Sequence, residues 1–168
     1  MTMSPQAKTD ALLVLNAGSS SLKFAVFALT GQGLVQRHDG QMEGIGAAPG
    51  FTLRDAAGAK LAERSFTEAE APKDHQGALG VILQALTPLI DGATIRAIGH
   101  RVVHGGRDLS APVLITPAII AQLRALVPLA PLHQPHNLAG IEAAARHFPG
   151  VAQIACFDTA FHRTQSHA

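Results

Sequence analysis

The chain has 168 residues, of which 47% are hydrophobic and 15% charged. That supports one full domain, or two small ones, around a sizeable core, and excludes a disordered chain. The formal net charge is +1, Trp and Tyr are absent, and there is one cysteine, which argues against a nucleic-acid-binding face and excludes an internal disulfide framework.

Residues 1–10 are polar and are expected to be a flexible terminus. They do not read as a signal peptide, because the apolar run that follows is broken by Asn16, Gly18 and three serines. No uninterrupted apolar run reaches the roughly 20 residues of a membrane span. Together with the lone Cys156, this points to a cytoplasmic protein.

Residues 11–15 and 22–29 read as two apolar strands joined by a tight polar turn. Residues 33–43 read as a partly exposed strand. Residues 51–55 and 60–66 alternate around an Ala56-Ala57-Gly58 turn. A helix is predicted over residues 74–90, where Leu79, Ile82, Leu83, Leu86 and Ile90 recur at helical spacing. Residues 95–103 and 113–115 are β-rich. Thr116-Pro117 is a helix start, with Thr at the cap and Pro in the first turn, and Ile120, Leu123 and Val127 share its apolar face. Asn137 is expected to cap a third helix with Leu138, Ile141, Ala145 and Phe148 buried, ending at Pro149-Gly150. Residues 151–157 read as a buried strand, with Cys156 inside it as a small hydrophobe. Strands first, then alternating helix and strand, give an α/β domain: a mixed sheet with helices packed on it.

Three clusters carry possible chemistry. In Asn16-Ala17-Gly18-Ser19-Ser20-Ser21-Leu22-Lys23, Gly18 is read as permitting an unusual backbone conformation. The hydroxyls, turn amides and Lys23 suit an anion, most naturally phosphate; an ordinary Ser-rich hairpin is the alternative. Lys23 opens a strand rather than a helix, so this is not a Walker A loop. In Gly99-His100-Arg101-Val102-Val103-His104-Gly105-Gly106, Arg101 and Val103 share one face. The Arg101 guanidinium suits a carboxylate or phosphate, or else a structural carboxylate partner. In Pro131-Leu132-His133-Gln134-Pro135-His136-Asn137, two histidines stand at a helix start, available to an anion or as caps. The four histidines in two close pairs also raise a metal-binding reading, but their spacing matches no common zinc pattern.

Together with Phe157-Asp158-Thr159-Ala160-Phe161-His162, these motifs occur in the order found in acetate kinases. From Leu12 to His162 the chain resembles the N-terminal part of that family. The resemblance implies the actin/sugar-kinase-like (ribonuclease H-like) fold, two domains around a cleft, and Mg²⁺-dependent phosphoryl transfer between ATP and a short-chain carboxylate. It implies that Asn16 and Asp158 help place Mg²⁺, and that Lys23, Ser19, Ser20 and Ser21 touch ATP phosphate. It further implies that Arg101 binds acetate or acetyl phosphate, that Val103 and Leu132 line the methyl pocket, and that His133 lies near the transferring group. The family's usual role for the residue matching Asp158 is proton donor or acceptor. A short carboxylic acid has a pKa of about 4 and is already ionised at neutral pH, so Asp158 is expected to organise Mg²⁺ first. Gln134 stands where the family usually has Asn.

Residues 11–168 are thus expected to be the N-terminal domain of a longer protein. A second domain would supply the adenosine pocket and the main homodimer contact, and this part alone would not turn over. A propionate or butyrate kinase, and a short non-catalytic acyl-phosphate-binding protein, are the alternative readings.

Overall fold

A computed structural model of the chain describes residues 9–90 and 92–158. The expected hairpin forms from β1 (Asp10–Ala17) and β2 (Ser21–Thr30), antiparallel, with Ala17 opposite Leu22 and Asn16 opposite Lys23. It continues through β3 (Gly33–Glu43), β4 (Gly50–Asp55) and β5 (Lys60–Ser65), each antiparallel to its predecessor. Beyond β1 the sheet turns parallel. β6 (Thr94–Val102) lies beside β1, and β8 (Ala152–Phe157) lies beside β6. The two-residue β7 (Val113–Leu114) closes the far edge. The eight strands run β5-β4-β3-β2-β1-β6-β8-β7.

Strand alternation decides which residues meet the helices. Leu13, Leu15 and Ala17 of β1 and Leu22, Phe24 and Val26 of β2 are buried with Leu79, Ile82 and Leu86 of α1 (His75–Leu86). Val102, Ala155 and Phe157 pack with Leu123 of α2 (Pro117–Ala125) and Leu138 and Ile141 of α3 (Gln134–His147). Asn16, Lys23 and Arg101 alternate with buried neighbours and so belong to the opposite side of the sheet.

Several local expectations change. β1 begins at Asp10, whose carboxylate accepts from Arg96 at 2.8 Å; residues 1–8 of the expected flexible terminus lie outside the described residues. Helix α1 stops at Leu86, because Pro88 cannot continue the ladder and Thr87 caps it. Asn137 does not cap α3. The helix starts at Gln134, with His133 as its cap residue, so Asn137 falls inside it and is buried. Ala145 is exposed and Ala144 takes the buried place. Cys156 is exposed, not buried: it pairs in register with Arg101, on the side away from the helices.

Gly18 is not in the left-handed region. Its neighbour in space is the Ser21 hydroxyl. A Cβ at Gly18 would stand 2.6 Å from the Ser21 Oγ, so a larger residue there would turn that hydroxyl to another rotamer.

Candidate functional site

The parallel strands β1, β6 and β8 all end on the same side of the domain, and each delivers a polar residue there. Asn16 comes from the end of β1, Arg101 from the end of β6, and Asp158 directly after β8. The carboxyl ends of parallel strands are where open α/β sheets place ligands. A cavity of about 330 Å³ opens at this point, lined by Asn16, Gly18, Ser21, Lys23, Arg101, Val103, His133 and Asp158. Residues from all three sequence clusters therefore converge on one hollow.

Arg101 and Asp158 form an ion pair with three hydrogen bonds at its wall. The Arg101 Nε donates to both carboxylate oxygens of Asp158, at 2.9 and 3.0 Å, and Nη2 donates to Oδ2 at 2.6 Å. The hydrogen bond to Asp158 raises the Arg101 pKa above its ordinary value; burial opposes this, and the opposite charge supports it. Arg101 thus has a structural carboxylate partner and also lines the cavity.

The carbonyls of the turn between β1 and β2 are engaged within the protein, while, among the described residues, two of its amides at the exposed tip are not. The Ala17 carbonyl accepts from Asn137 Nδ2 at 3.0 Å and the Gly18 carbonyl bonds His75 Nε2 at 2.7 Å. The Ser20 carbonyl accepts from the Ile45 amide, and the Ser21 carbonyl from the Gly18 amide, both at 2.9 Å. The amides of Ser19 and Ser20 have no protein partner among the described residues. Donor-rich turns of this kind favour anions.

Two buried amides hold the frame. Asn137 accepts from the Val103 amide at 3.0 Å while donating to Ala17, so it stitches the end of β6 to the end of β1. Gln134 is fully buried and donates from Nε2 to the carbonyls of His104 at 3.2 Å and Leu123 at 3.3 Å. It therefore ties the loop after β6 to α2. The contacts of Asn137 and His75 escaped the sequence reading. Neither carried a local signal: Asn137 has the preferences of a helix cap, and His75 stands at a helix start without a neighbouring motif.

Other expected site residues stand further out. Ser19 and Ser20 are exposed at the tip of the turn, and Leu132 is 74% exposed and does not line the cavity. His136 packs its ring against His75, with centroids 5.7 Å apart. Burial, then the neighbouring His75 and His133, lowers the His136 pKa. His104 accepts from the Gly106 amide at 2.8 Å. His100 is buried and donates to Gln153 Oε1 at 2.6 Å; burial lowers its pKa to about 4, with the Gln153 bond opposing. Among the described residues, no three His, Cys, Asp or Glu side chains gather as a metal-ligand group. Residues 159–162 of the last motif lie outside the described residues.

The mixed sheet with helices packed on it defines an actin/sugar-kinase-like domain. The solved acetate kinase of Porphyromonas gingivalis superposes with a TM-score of 0.80 at 36% identity, over 94% of this chain and 39% of that one. A propionate kinase from Francisella tularensis superposes with a TM-score of 0.78 at 31% identity, with the same coverage. The acetate kinase of Rhizobium meliloti is 47% identical over 154 residues, 92% of this chain. The model of the acetokinase family matches residues 11–168, and the chain belongs to that family. It spans about 39% of the length of such curated relatives.

Proposed function

We propose that this chain is the carboxylate- and phosphate-binding part of a kinase that transfers phosphoryl reversibly between ATP and acetate, giving acetyl phosphate and ADP. The observation that carries the reading is the shared cavity: the Arg101 guanidinium, the Lys23 ammonium, the Asn16 amide and the Ser21 hydroxyl belong to residues that line the same space. Acetate and phosphate are both anions, and bringing them together requires cations and N–H groups on both sides of the reacting pair.

In this reading Arg101 holds the acetate carboxylate or the acyl phosphate. Lys23 and Ser21, with the exposed Ser19 and Ser20, hold phosphate. His133 stands beside the transferring group at the start of α3, where the helix dipole favours negative charge. Val103 faces the methyl group; Leu132 would contribute only after a side-chain or loop movement. The acid needs no deprotonation at neutral pH, so Asp158 orients Arg101 rather than creating the nucleophile.

The donor set suits Mg²⁺ in the limited sense its chemistry requires. Asn16 and Asp158 offer hard oxygens around one cavity, and Mg²⁺ commonly takes one or two carboxylates plus substrate phosphate and water. Bound there, it would neutralise phosphate charge. A cytoplasmic setting and a homodimer formed through the rest of a longer protein complete the proposal. Among the described residues no helix is long and apolar enough to cross a membrane.

The test is a titration of the ¹⁵N-labelled 168-residue chain, followed by amide NMR. Acetate is expected to move Arg101 and Val103, and inorganic phosphate to move Ser19, Ser20 and Lys23. The chain alone is expected to give no sustained acetate-dependent ADP production. Absence of both sets of shifts, or steady turnover, would overturn the reading.

The similarity to a propionate kinase keeps a second reading open: the preferred acid is propionate or butyrate. One methylene in an apolar pocket discriminates by only about 1–3 kcal/mol. Competition among acetate, propionate and butyrate for the Arg101 shifts decides it.

A further inference from the structure

We propose that His75 is a positioning residue for the anion-binding turn, holding the Gly18 carbonyl away from a bound phosphate. The proposal rests on the functional reading above and adds a residue to it, 57 positions from the turn it serves.

Gly18 lines the cavity, and its carbonyl oxygen is a fixed partial negative charge. Directed at a phosphate, that oxygen would repel the ligand that the neighbouring amides attract. Of the four turn carbonyls with partners, those of Ser20 and Ser21 are held by main-chain amides and that of Ala17 by Asn137. Only Gly18 depends on an imidazole, 2.7 Å away. A carbonyl only accepts, so Nε2 carries the proton, which specifies the tautomer of the neutral ring.

The ring is built to stay there. His75 is the first residue of α1, directly after Asp74, which caps the helix by accepting from the Gly77 amide at 2.8 Å. It is only 7% exposed, and the His136 ring from α3 lies against it. A buried ring at a capped helix end has little rotamer freedom. The starts of α1 and α3 thus meet at the turn, and His75 makes the contact with its carbonyl.

The test uses the 168-residue chain with His75→Leu and His75→Gln. Leu fills the space without a donor; the Gln side-chain amide can reach the same carbonyl. Inorganic phosphate probes the turn through Ser19, Ser20 and Lys23; acetate probes Arg101. His75→Leu is expected to weaken phosphate binding about tenfold, the cost of leaving one acceptor unmatched. Acetate binding should change by less than about twofold, since distant effects are nearly independent. His75→Gln should restore phosphate binding, and ring ¹⁵N shifts of the wild type should report the proton on Nε2.

Equal losses for phosphate and acetate, a Gln variant as weak as the Leu variant, or a proton on Nδ1 of the neutral ring would each overturn the proposal. The ring measurement and the Gln variant decide it even if His75→Leu does not fold. Phosphate binding at the turn unaffected by His75→Leu overturns it while leaving the functional reading intact; no phosphate response in the wild type removes both.

Discussion

Asp158 grips Arg101 along one edge: Nε donates to both carboxylate oxygens and Nη2 to one of them. The contact joins the end of β6 to the residue after β8, so two parallel strands are cross-linked where the cavity opens. It also means that an incoming carboxylate meets a guanidinium already engaged by one.

That engagement is measurable. The Arg101 side chain is 54% exposed, and exposed ion pairs contribute about 0–1 kcal/mol. Without added Mg²⁺, Asp158→Asn is therefore expected to tighten acetate binding at Arg101 by up to about fivefold. Arg101→Ala should abolish it. Weaker acetate binding in Asp158→Asn would show that Asp158 supports the ligand rather than competing with it. Calorimetric titration distinguishes these results.

Asn137 bonds both strand ends through one buried amide. Asn137→Leu leaves the Val103 amide and the Ala17 carbonyl without it, and each unmatched buried group costs about 1–3 kcal/mol. The variant is expected to lose stability on that scale in urea unfolding, and to lose acetate and phosphate shifts together because it loosens both sides of the cavity. Unchanged stability would mean that water replaces the amide.

His100 gives a pH dependence with a defined sign. Its pKa is about 4 in the fold against an ordinary 6.5. Above 6.5 the ring is neutral folded or unfolded, and its contribution is complete. As pH falls from 6.5 towards 4, the unfolded chain takes up a proton that the fold resists, so stability falls by up to about 1.4 kcal/mol per pH unit. His100→Gln is expected to flatten that part of the stability curve. A slope equal to the wild type would assign the loss to other groups.

Cys156 is exposed beside the Arg101 strand position. It should react with one equivalent of a thiol reagent in the native protein, before any unfolding. Reaction only after urea is added would place the thiol in the interior instead.

Much of the local structure was legible because it is written in short-range chemistry. The alternation through β1 and β2, the Thr116-Pro117 start of α2 and the turns at Gly58 and Gly150 each depend on neighbours within a few residues. The failures have the same origin. Asn137 has the preferences of a cap, so local reading put it at the helix start; tertiary contacts with residues 103 and 17 put it inside. Cys156 sits in an apolar run, but burial depends on whether a helix covers that side of the strand.

By itself the sequence determined the family, the hairpin with its donor-rich turn, and the identity of Asn16, Lys23, Arg101 and Asp158 as the chemically capable residues. Motif order and residue type suffice for that. Only the tertiary structure decided that β1, β6 and β8 run parallel and bring three of those residues to one end of the sheet. It alone paired Arg101 with Asp158, across 57 positions, and His75 with Gly18. Such contacts depend on how distant segments pack, and no spacing along the chain encodes them directly.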